Sequence, residues 1–466
     1  MAKPTIILAT SNGVGMGHLA RTTAVALALK EVANPIIVSM AGGIAEIPAF
    51  LDIRCEYIPG RDRLWMPREK WDIYVRDRLL ALIEETDAKV LTFDGVVPYP
   101  GVFATRIKNK NISLVWIRRG LWQRNLLRFV LPLYSRIMDL VIEPGDFAKA
   151  FDFGPTSKRK DAVLTSPVSL FNSRNTFTRE DARKALGLDV NRPVVLVQLG
   201  TGDSDVNAKM AAALEGLLGW KDLQVVLTKA PIAKDGSSLA PSTLDLRVIR
   251  YFPLAQVLRA FDASICATGY NGVHELLPAQ IPTVFVSNIR GTDDQEARAR
   301  WCQESGFALR ADQNNLSEIT ETVRRLQDKA TREQLAAKCL ELPDTSGGAE
   351  IAGILSAIAL QGRPVNRRLF TRLLRRVIYV GIRRITLIYR RLKPHSTIQT
   401  IHLDPPIFGD STKVEELGEL LKSPARFEHL IAGASPQYRS RREMIANVAY
   451  GNLIGKEAIH EFPKLD

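Results

Sequence analysis

The chain has 466 residues, 46% hydrophobic and 24% charged, with 63 basic against 50 acidic residues for a formal charge of +13. That length accommodates two ordinary domains and an appendage, and the composition is that of a globular protein. Cys55, Cys266, Cys302 and Cys339 are widely separated with no CxxC pair, and the six histidines are scattered, which excludes a disulfide framework, gives no zinc-ligand spacing and suits a reducing cytoplasm.

The N-terminal MAKPTIILAT runs directly into a strand-like segment and a glycine loop, without the longer apolar core and cleavage site of a signal peptide. No run of eighteen apolar residues is present, so no spanning helix is expected. The charge is local. Residues 363–393 hold ten Arg, one Lys and no acid, or +11, leaving 52 basic against 50 acidic residues elsewhere.

Short apolar runs alternate with longer helical patterns, the mark of βαβ units on a mostly parallel sheet. Strands are predicted over Thr5–Ala9, Pro35–Ser39, Val90–Phe93, Ser113–Ile117 and Leu140–Ile142, with an Ala/Leu-rich helix over His18–Lys30. Arg61–Arg78, rich in charge and Trp, reads as an excursion or lid. The pattern restarts at Pro193–Leu199, followed by Gly200-Thr201-Gly202 and a helix from about Val206. Further strands are expected over Leu223–Thr228, Leu246–Tyr251, Ser264–Ala267, Thr283–Val286 and Ala308–Arg310. A helix over Ala349–Leu360 is expected to close the second half. Two half-chains that each open strand, glycine loop, helix indicate tandem Rossmann-like domains, residues 1–165 and 166–362, with 363–466 as an extension.

The first loop, Gly13 to Arg21 (GVGMGHLAR), brings Gly15 and Gly17 to a helix N-terminus, where backbone N–H groups can approach an anion; a purely structural tight turn is the competing reading. A dinucleotide site wants an acid at the end of the second strand, and Val38-Ser39-Met40-Ala41-Gly42 has none. His18, in the first turn of that helix, is a candidate base for an acceptor hydroxyl, against a role in local packing or capping. Asp94 follows another strand at the same edge and is a candidate to orient His18 or act as base itself, against capping its own loop. Arg118 and Arg119 are candidates to meet phosphates or to form an exposed basic loop. Gly200, Thr201 and Gly202 are candidates for diphosphate. Asp203-Ser204-Asp205 looks like a DxD metal motif but fits a helix cap better.

The densest signal runs from Ala267 to Trp301: strand, glycine turn, helix bearing Glu275, strand, then a polar loop with Asp294-Gln295. Glu275, one turn into its helix, suits the two ribose hydroxyls, and Asp294-Gln295 suits sugar hydroxyls. This block resembles the donor-binding motif of metal-independent GT-B glycosyltransferases, in the group containing the peptidoglycan lipid-intermediate GlcNAc transferases and the galactosyldiacylglycerol synthases. The resemblance spans roughly residues 5–360, but only Ala267–Trp301 is specific. It implies a GT-B fold of two Rossmann-like domains, a nucleotide-sugar donor (UDP-linked) in the second, and a hydroxyl acceptor, lipid-linked in some relatives, in the first. It implies phosphate contacts from Thr268, Gly269, Asn271 and Gly272, ribose contact from Glu275, sugar contacts from Asp294 and Gln295, and a base-flanking Tyr251-Phe252 pair. No cofactor and no metal are implied.

Two departures bear on the chemistry. Retaining GT-B enzymes carry a second Glu eight positions before this one; residue 267 is Ala, which favours inversion. The loop pattern GxGHxxR, with Met16 and Arg21, resembles a nucleotide-sugar hydrolase of nonulosonic acid synthesis, so hydrolysis or epimerisation on the same fold stays open, as does a GT-B-like binding protein without chemistry. In the extension, Phe370, Leu373, Leu374, Val377 and Ile378 fall on one helical face and Arg368, Arg372, Arg375 and Arg376 largely on the other, with Arg383 and Arg384 beyond. A basic amphipathic helix of this kind suits an anionic membrane surface at the inner face of the membrane, against a helix docked on the catalytic domains. Nucleic acid would use the same charge, but no aromatic stacking platform accompanies it.

Overall fold

A computed structural model of the chain describes residues 3–11, 17–40, 51–58, 68–124, 130–200, 204–228, 243–249, 251–288, 291–361 and 374–382. Two sheets organise it. The first has seven strands in the order β3-β2-β1-β4-β5-β6-β7, with β1 Thr5–Thr10, β2 Asn34–Ser39, β3 Arg54–Tyr57, β4 Val90–Asp94, β5 Ser113–Ile117, β6 Leu140–Pro144 and β7 Val163–Thr165. The second has six, in the order β10-β9-β8-β11-β12-β13: β8 Val194–Gln198, β9 Gln224–Thr228, β10 Asp245–Ile249, β11 Ala263–Ala267, β12 Thr283–Val286 and β13 Leu309–Ala311. Every pairing is parallel. Central strands such as β4 and β5 are buried at every position because helices cover both faces, which is why they read as continuous apolar runs.

The strand order reverses between β1 and β4 in the first sheet and between β8 and β11 in the second. Those reversals open crevices at the carboxyl ends of the strands, where ligands of open α/β sheets bind. His18 follows β1 and Asp94 ends β4; Gly200 follows β8 and Thr268 follows β11.

The helices that matter here are α1 Gly17–Leu29, α2 Arg68–Thr86, α3 Pro100–Lys108, α4 Val130–Ile137, α5 Tyr270–Leu276, α6 Gln295–Glu304, α7 Gly347–Gln361 and α8, residues 374–382. α2 corrects the excursion expected over Arg61–Arg78. Trp71, Val75, Leu79 and Leu82 recur at helical spacing and are all buried in the first domain's core, and residues 59–67 lie outside the described set.

α7 corrects the domain assignment. Ile351, Ala352, Leu355 and Ile358 pack with Leu19, Val25 and Ile37 of the first domain, in a cluster that also takes in Val168 and Phe252. Gly347 permits the crossing, since a Cβ there would sit 2.0 Å from the Ser166 carbonyl oxygen.

α8 corrects the register expected for the basic segment. Arg375, assigned to a membrane-facing surface, is buried: Nη2 donates to Asp139 Oδ1 at 2.8 Å and Nε to the Ile137 carbonyl at 2.5 Å. Arg106 donates to the other Asp139 oxygen at 2.8 Å. Ile378 is buried, Leu374, Tyr379 and Ile382 pack against the same core, and the Tyr379 ring meets Phe103 edge-on. Arg376 is exposed, and Val377, placed on the apolar face, is 67% exposed. The helix is rotated from the expected orientation because a buried carboxylate captures one arginine. Arg368, Arg372, Arg383 and Arg384 lie outside the described residues, and no described helix is long and apolar enough to cross a membrane.

Candidate active site

His18, Arg21 and Asp94 meet at the first domain's switch point. His18 Nδ1 is 2.6 Å from Asp94 Oδ1; Arg21 Nε donates to Asp94 Oδ2 at 2.7 Å, and its Nη2 donates to Oδ1 and lies 3.2 Å from His18 Nδ1. An anionic oxygen at 2.6 Å requires the proton on Nδ1, so Nδ1–H donates to Asp94 and Nε2 is the free lone pair. Burial lowers the His18 pKa and Arg21 and Arg119 push the same way, only partly opposed by Asp94. The imidazole is thus neutral at physiological pH, the form a general base needs. Burial alone would raise the Asp94 carboxyl, but Arg21 and His18 hold it below its ordinary value, so it stays ionised.

Across from this group stands the Ala267–Trp301 block. β11 ends at Ala267, Gly269 caps α5, and Thr268 is fully buried with a hydroxyl that has no hydrogen-bond partner. Gly272 sits in a tight place, where a Cβ would lie 3.0 Å from Cys266 Sγ and 3.2 Å from the Ala267 carbonyl. Glu275 sits in α5 with burial pushing its carboxyl up to about 8. An orphaned hydroxyl just before α5 and a desolvated carboxyl near its end are polar groups without polar partners. Asn271 reaches the first domain, its Nδ2 donating to the Gly17 carbonyl at 3.0 Å. The first turn of α5 therefore meets the first residue of α1.

The remaining expected residues divide. Asp294 caps α6 through the Ala297 N–H at 3.0 Å, and Gln295 Oε1 accepts from the Asn288 N–H at 2.9 Å. Both thus shape the loop as well as standing at the sheet edge. Tyr251 packs on the second domain's core, whereas Phe252 packs against the first domain's. Gly200 ends the turn after β8; Gly15, Thr201 and Gly202 lie outside the described residues. Arg118 is no phosphate ligand in this structure: it is fully buried and donates to Glu143 and Asp161.

Sequence reasoning missed the clamp that joins the domains. Arg298, fully buried on α6, donates to Asp146 of the first domain at 2.9 Å, to Asp293 at 3.0 Å and to the Thr268 carbonyl at 2.8 Å. Arg119 pairs with Asp293 at 3.4 Å, and the Gln123 and Asp294 amides bond the facing loop's Thr292 and Leu121 carbonyls. His274, which burial pushes down to about 4, accepts from the Phe147 N–H at 3.1 Å, and the Tyr270 hydroxyl donates to the Gly145 carbonyl. Nothing in the local pattern of DDQEARAR distinguishes Arg298 from a solvated helix arginine, because its partner Asp146 is 152 residues away.

Residues 194–350 match the glycosyltransferase family 28 C-terminal domain. The match lies in the second half of the chain. It contains Thr268, Gly269, Asn271, Gly272, Glu275, Asp294 and Gln295. Among curated relatives, the 4'-demethylrebeccamycin synthase of Lentzea aerocolonigenes is 31% identical over 30% of this chain and 32% of its own length. The UDP-N-acetylglucosamine–N-acetylmuramyl-(pentapeptide) pyrophosphoryl-undecaprenol N-acetylglucosamine transferase of Rhodococcus opacus is 29% identical over 44% of this chain and 56% of its own. The similarity thus spans about a third to half of those relatives. The solved structure of UGT2 from Phytolacca americana, complexed with UDP-2fluoro-glucose and pterostilbene, superposes with a TM-score of 0.55 at 16% identity, covering 78% of this chain and 99% of that one. The matched region and the domain before it together have the GT-B fold.

Proposed function

We propose that this chain is an inverting, metal-independent glycosyltransferase that moves a sugar from a nucleotide sugar, UDP-linked, to a hydroxyl of a lipid-linked acceptor. The observation that carries this reading is the apposition of the neutral His18 base, held by Asp94, to the second domain's unsatisfied Thr268 hydroxyl and Glu275 carboxyl. The Rhodococcus opacus relative, named for a UDP-linked donor and an undecaprenol-linked acceptor, supports the donor and acceptor classes. His18 Nε2 takes the proton of the acceptor hydroxyl as its oxygen bonds the anomeric carbon and the bond from that carbon to the diphosphate breaks. Backbone donors of the Gly269–Gly272 turn receive the departing charge, where fixed dipoles stabilise it. Glu275 holds the ribose, and Asp294 and Gln295 the sugar. Hydrolysis, with water in place of the acceptor, is the competing reaction, and the GxGHxxR pattern around Arg21 favours it.

The deciding measurement is a thermal-shift screen of UDP-, GDP-, CDP- and dTDP-sugars in EDTA, followed by product analysis with and without a polyprenyl-diphosphate acceptor. Glu275→Ala is expected to weaken the stabilising nucleotide sugar by about 1–3 kcal/mol, the cost of leaving the ribose hydroxyls it would meet without a partner. Unchanged affinity in the folded variant removes the donor site, and free sugar without transfer product converts the reading to hydrolysis.

The basic extension is proposed to hold the enzyme peripherally on an anionic, cytoplasmic membrane surface. α8 docks the segment to the first domain through Arg375, so Arg376, Val377 and Val380 face outward. The membrane set is therefore Arg368, Arg372, Arg376, Arg383 and Arg384, each contributing about 1 kcal/mol near an anionic surface. The full chain should co-sediment with vesicles containing anionic lipid and dissociate with salt, whereas the variant with these arginines changed to Gln should not bind. Equal partitioning of the two chains sinks the proposal. Truncation at Gln361 is the poorer test, because it also strips Ile378 and Arg375 from the core.

A further inference from the structure

We propose that Arg21 is the positioning residue of the base: it grips both oxygens of Asp94 so that Asp94 accepts the Nδ1–H hydrogen bond of His18 and leaves Nε2 as the free lone pair. The inference rests on reading His18 as the base.

Arg21 lies three residues after His18 on α1, so both side chains project from one helical face toward the end of β4. Its Nε and Nη2 span Asp94 from Oδ2 to Oδ1, and Asp94 is only 1% exposed. This two-point contact opposes rotation of the carboxylate away from His18, and burial keeps bulk solvent from competing for it. A guanidinium supplies this two-point grip, which a point charge cannot.

The guanidinium is itself fixed from the second domain. Arg21 stacks over the Tyr270 ring, 5.1 Å from its centroid, and the Tyr270 hydroxyl donates to the Gly145 carbonyl at 2.7 Å and accepts from the Val168 N–H at 2.9 Å. Tyr270 opens the same helix that carries Glu275. The orientation of the base is thus built against the donor-bearing helix. The charged groups facing His18 are Asp94, Arg21 and Arg119; of these only Arg21 touches both members of the dyad.

A merely structural ion pair leaves the imidazole's titration and tautomer unchanged, and that difference is the test. His18 is followed by NMR in the full chain, its signal assigned by its loss in His18→Ala, with no substrate present. In Arg21→Met the loss of a cation beside the ring is expected to raise its midpoint by about one unit and to populate the Nε2–H tautomer. Turnover in the same variant is expected to fall about 10- to 100-fold, as for a misplaced catalytic group, with donor KM within a factor of about three and the acid limb of the pH profile moved upward. Arg21→Lys keeps the charge and loses the fork, so its His18 midpoint should stay near wild type while turnover falls between the two. It also serves if Arg21→Met does not fold. An unchanged His18 midpoint and tautomer in Arg21→Met, or wild-type turnover in Arg21→Lys, overturns the proposal. If His18 shifts as expected but the wild-type chain neither transfers nor hydrolyses any nucleotide sugar, the positioning role stands and the glycosyltransferase reading fails.

Discussion

Replacing His18 by alanine is expected to lower turnover by roughly 10²–10⁴ while leaving nucleotide-sugar affinity within a factor of about three, the range for loss of a general base. The barrier to recover is about 3–5 kcal/mol at 1.36 kcal/mol per decade. His18 belongs to the first domain and contacts Asp94 and Arg21 of that domain, so its loss does not dismantle the Thr268–Glu275 turn of the second. The pH dependence has a fixed sign. Burial and the two neighbouring arginines lower the His18 pKa below the ordinary histidine value, so wild-type turnover should be flat through neutrality and fall only as pH drops through that lowered value. In His18→Ala this acid limb should vanish. Steady-state rates from pH 5 to 9 on both chains check it, and an alanine variant with wild-type turnover removes His18 from the chemistry.

Replacing Arg298 by alanine is expected to cost about 3–5 kcal/mol of stability, the penalty for stripping one partner from a buried ion pair. Arg298 is fully buried and is the common donor to Asp146 and Asp293, so its removal takes the guanidinium from buried Asp146 and leaves Asp293 with Arg119 alone at the junction of the domains. Burial alone would raise both carboxyls, but Arg298 and, at Asp293, Arg119 hold them below the ordinary aspartate value. Groups with depressed folded-state values stabilise the fold above their unfolded pKa and lose that contribution as pH falls through the folded one. The clamp should therefore be at full strength at neutral pH and fail only in acid, while the variant should already be weakened at pH 7. Denaturant melts at pH 7 and pH 4 measure this. A loss below about 1 kcal/mol at pH 7, the scale of a solvated pair, shows that the clamp does not hold the domains.

The sequence by itself determined the two sheets and their ends. Runs such as VLTFD and SLVWI are buried on both faces, so apolar continuity announces them without reference to partners. The clustering of Thr268, Gly269, Asn271, Gly272 and Glu275 was legible for a related reason: they lie within eight residues, and one strand, turn and helix place them together. β3, with the sequence RCEY, and β7, with only VLT, were missed because edge strands are short and half-solvated. Only the tertiary structure decided the rest. The apolar stripe of α7 says that it is buried but not on which domain, and the chain's return put it on the first. The basic segment carries many arginines of similar local context, and the buried Asp139, over two hundred residues earlier, selected Arg375 to turn inward. The His18–Arg21–Asp94 group and the Arg298 clamp are likewise made from residues tens to hundreds of positions apart. Periodicity and spacing report the near neighbours of a residue along the chain, whereas a buried charge is placed by whichever distant group offers the complementary one.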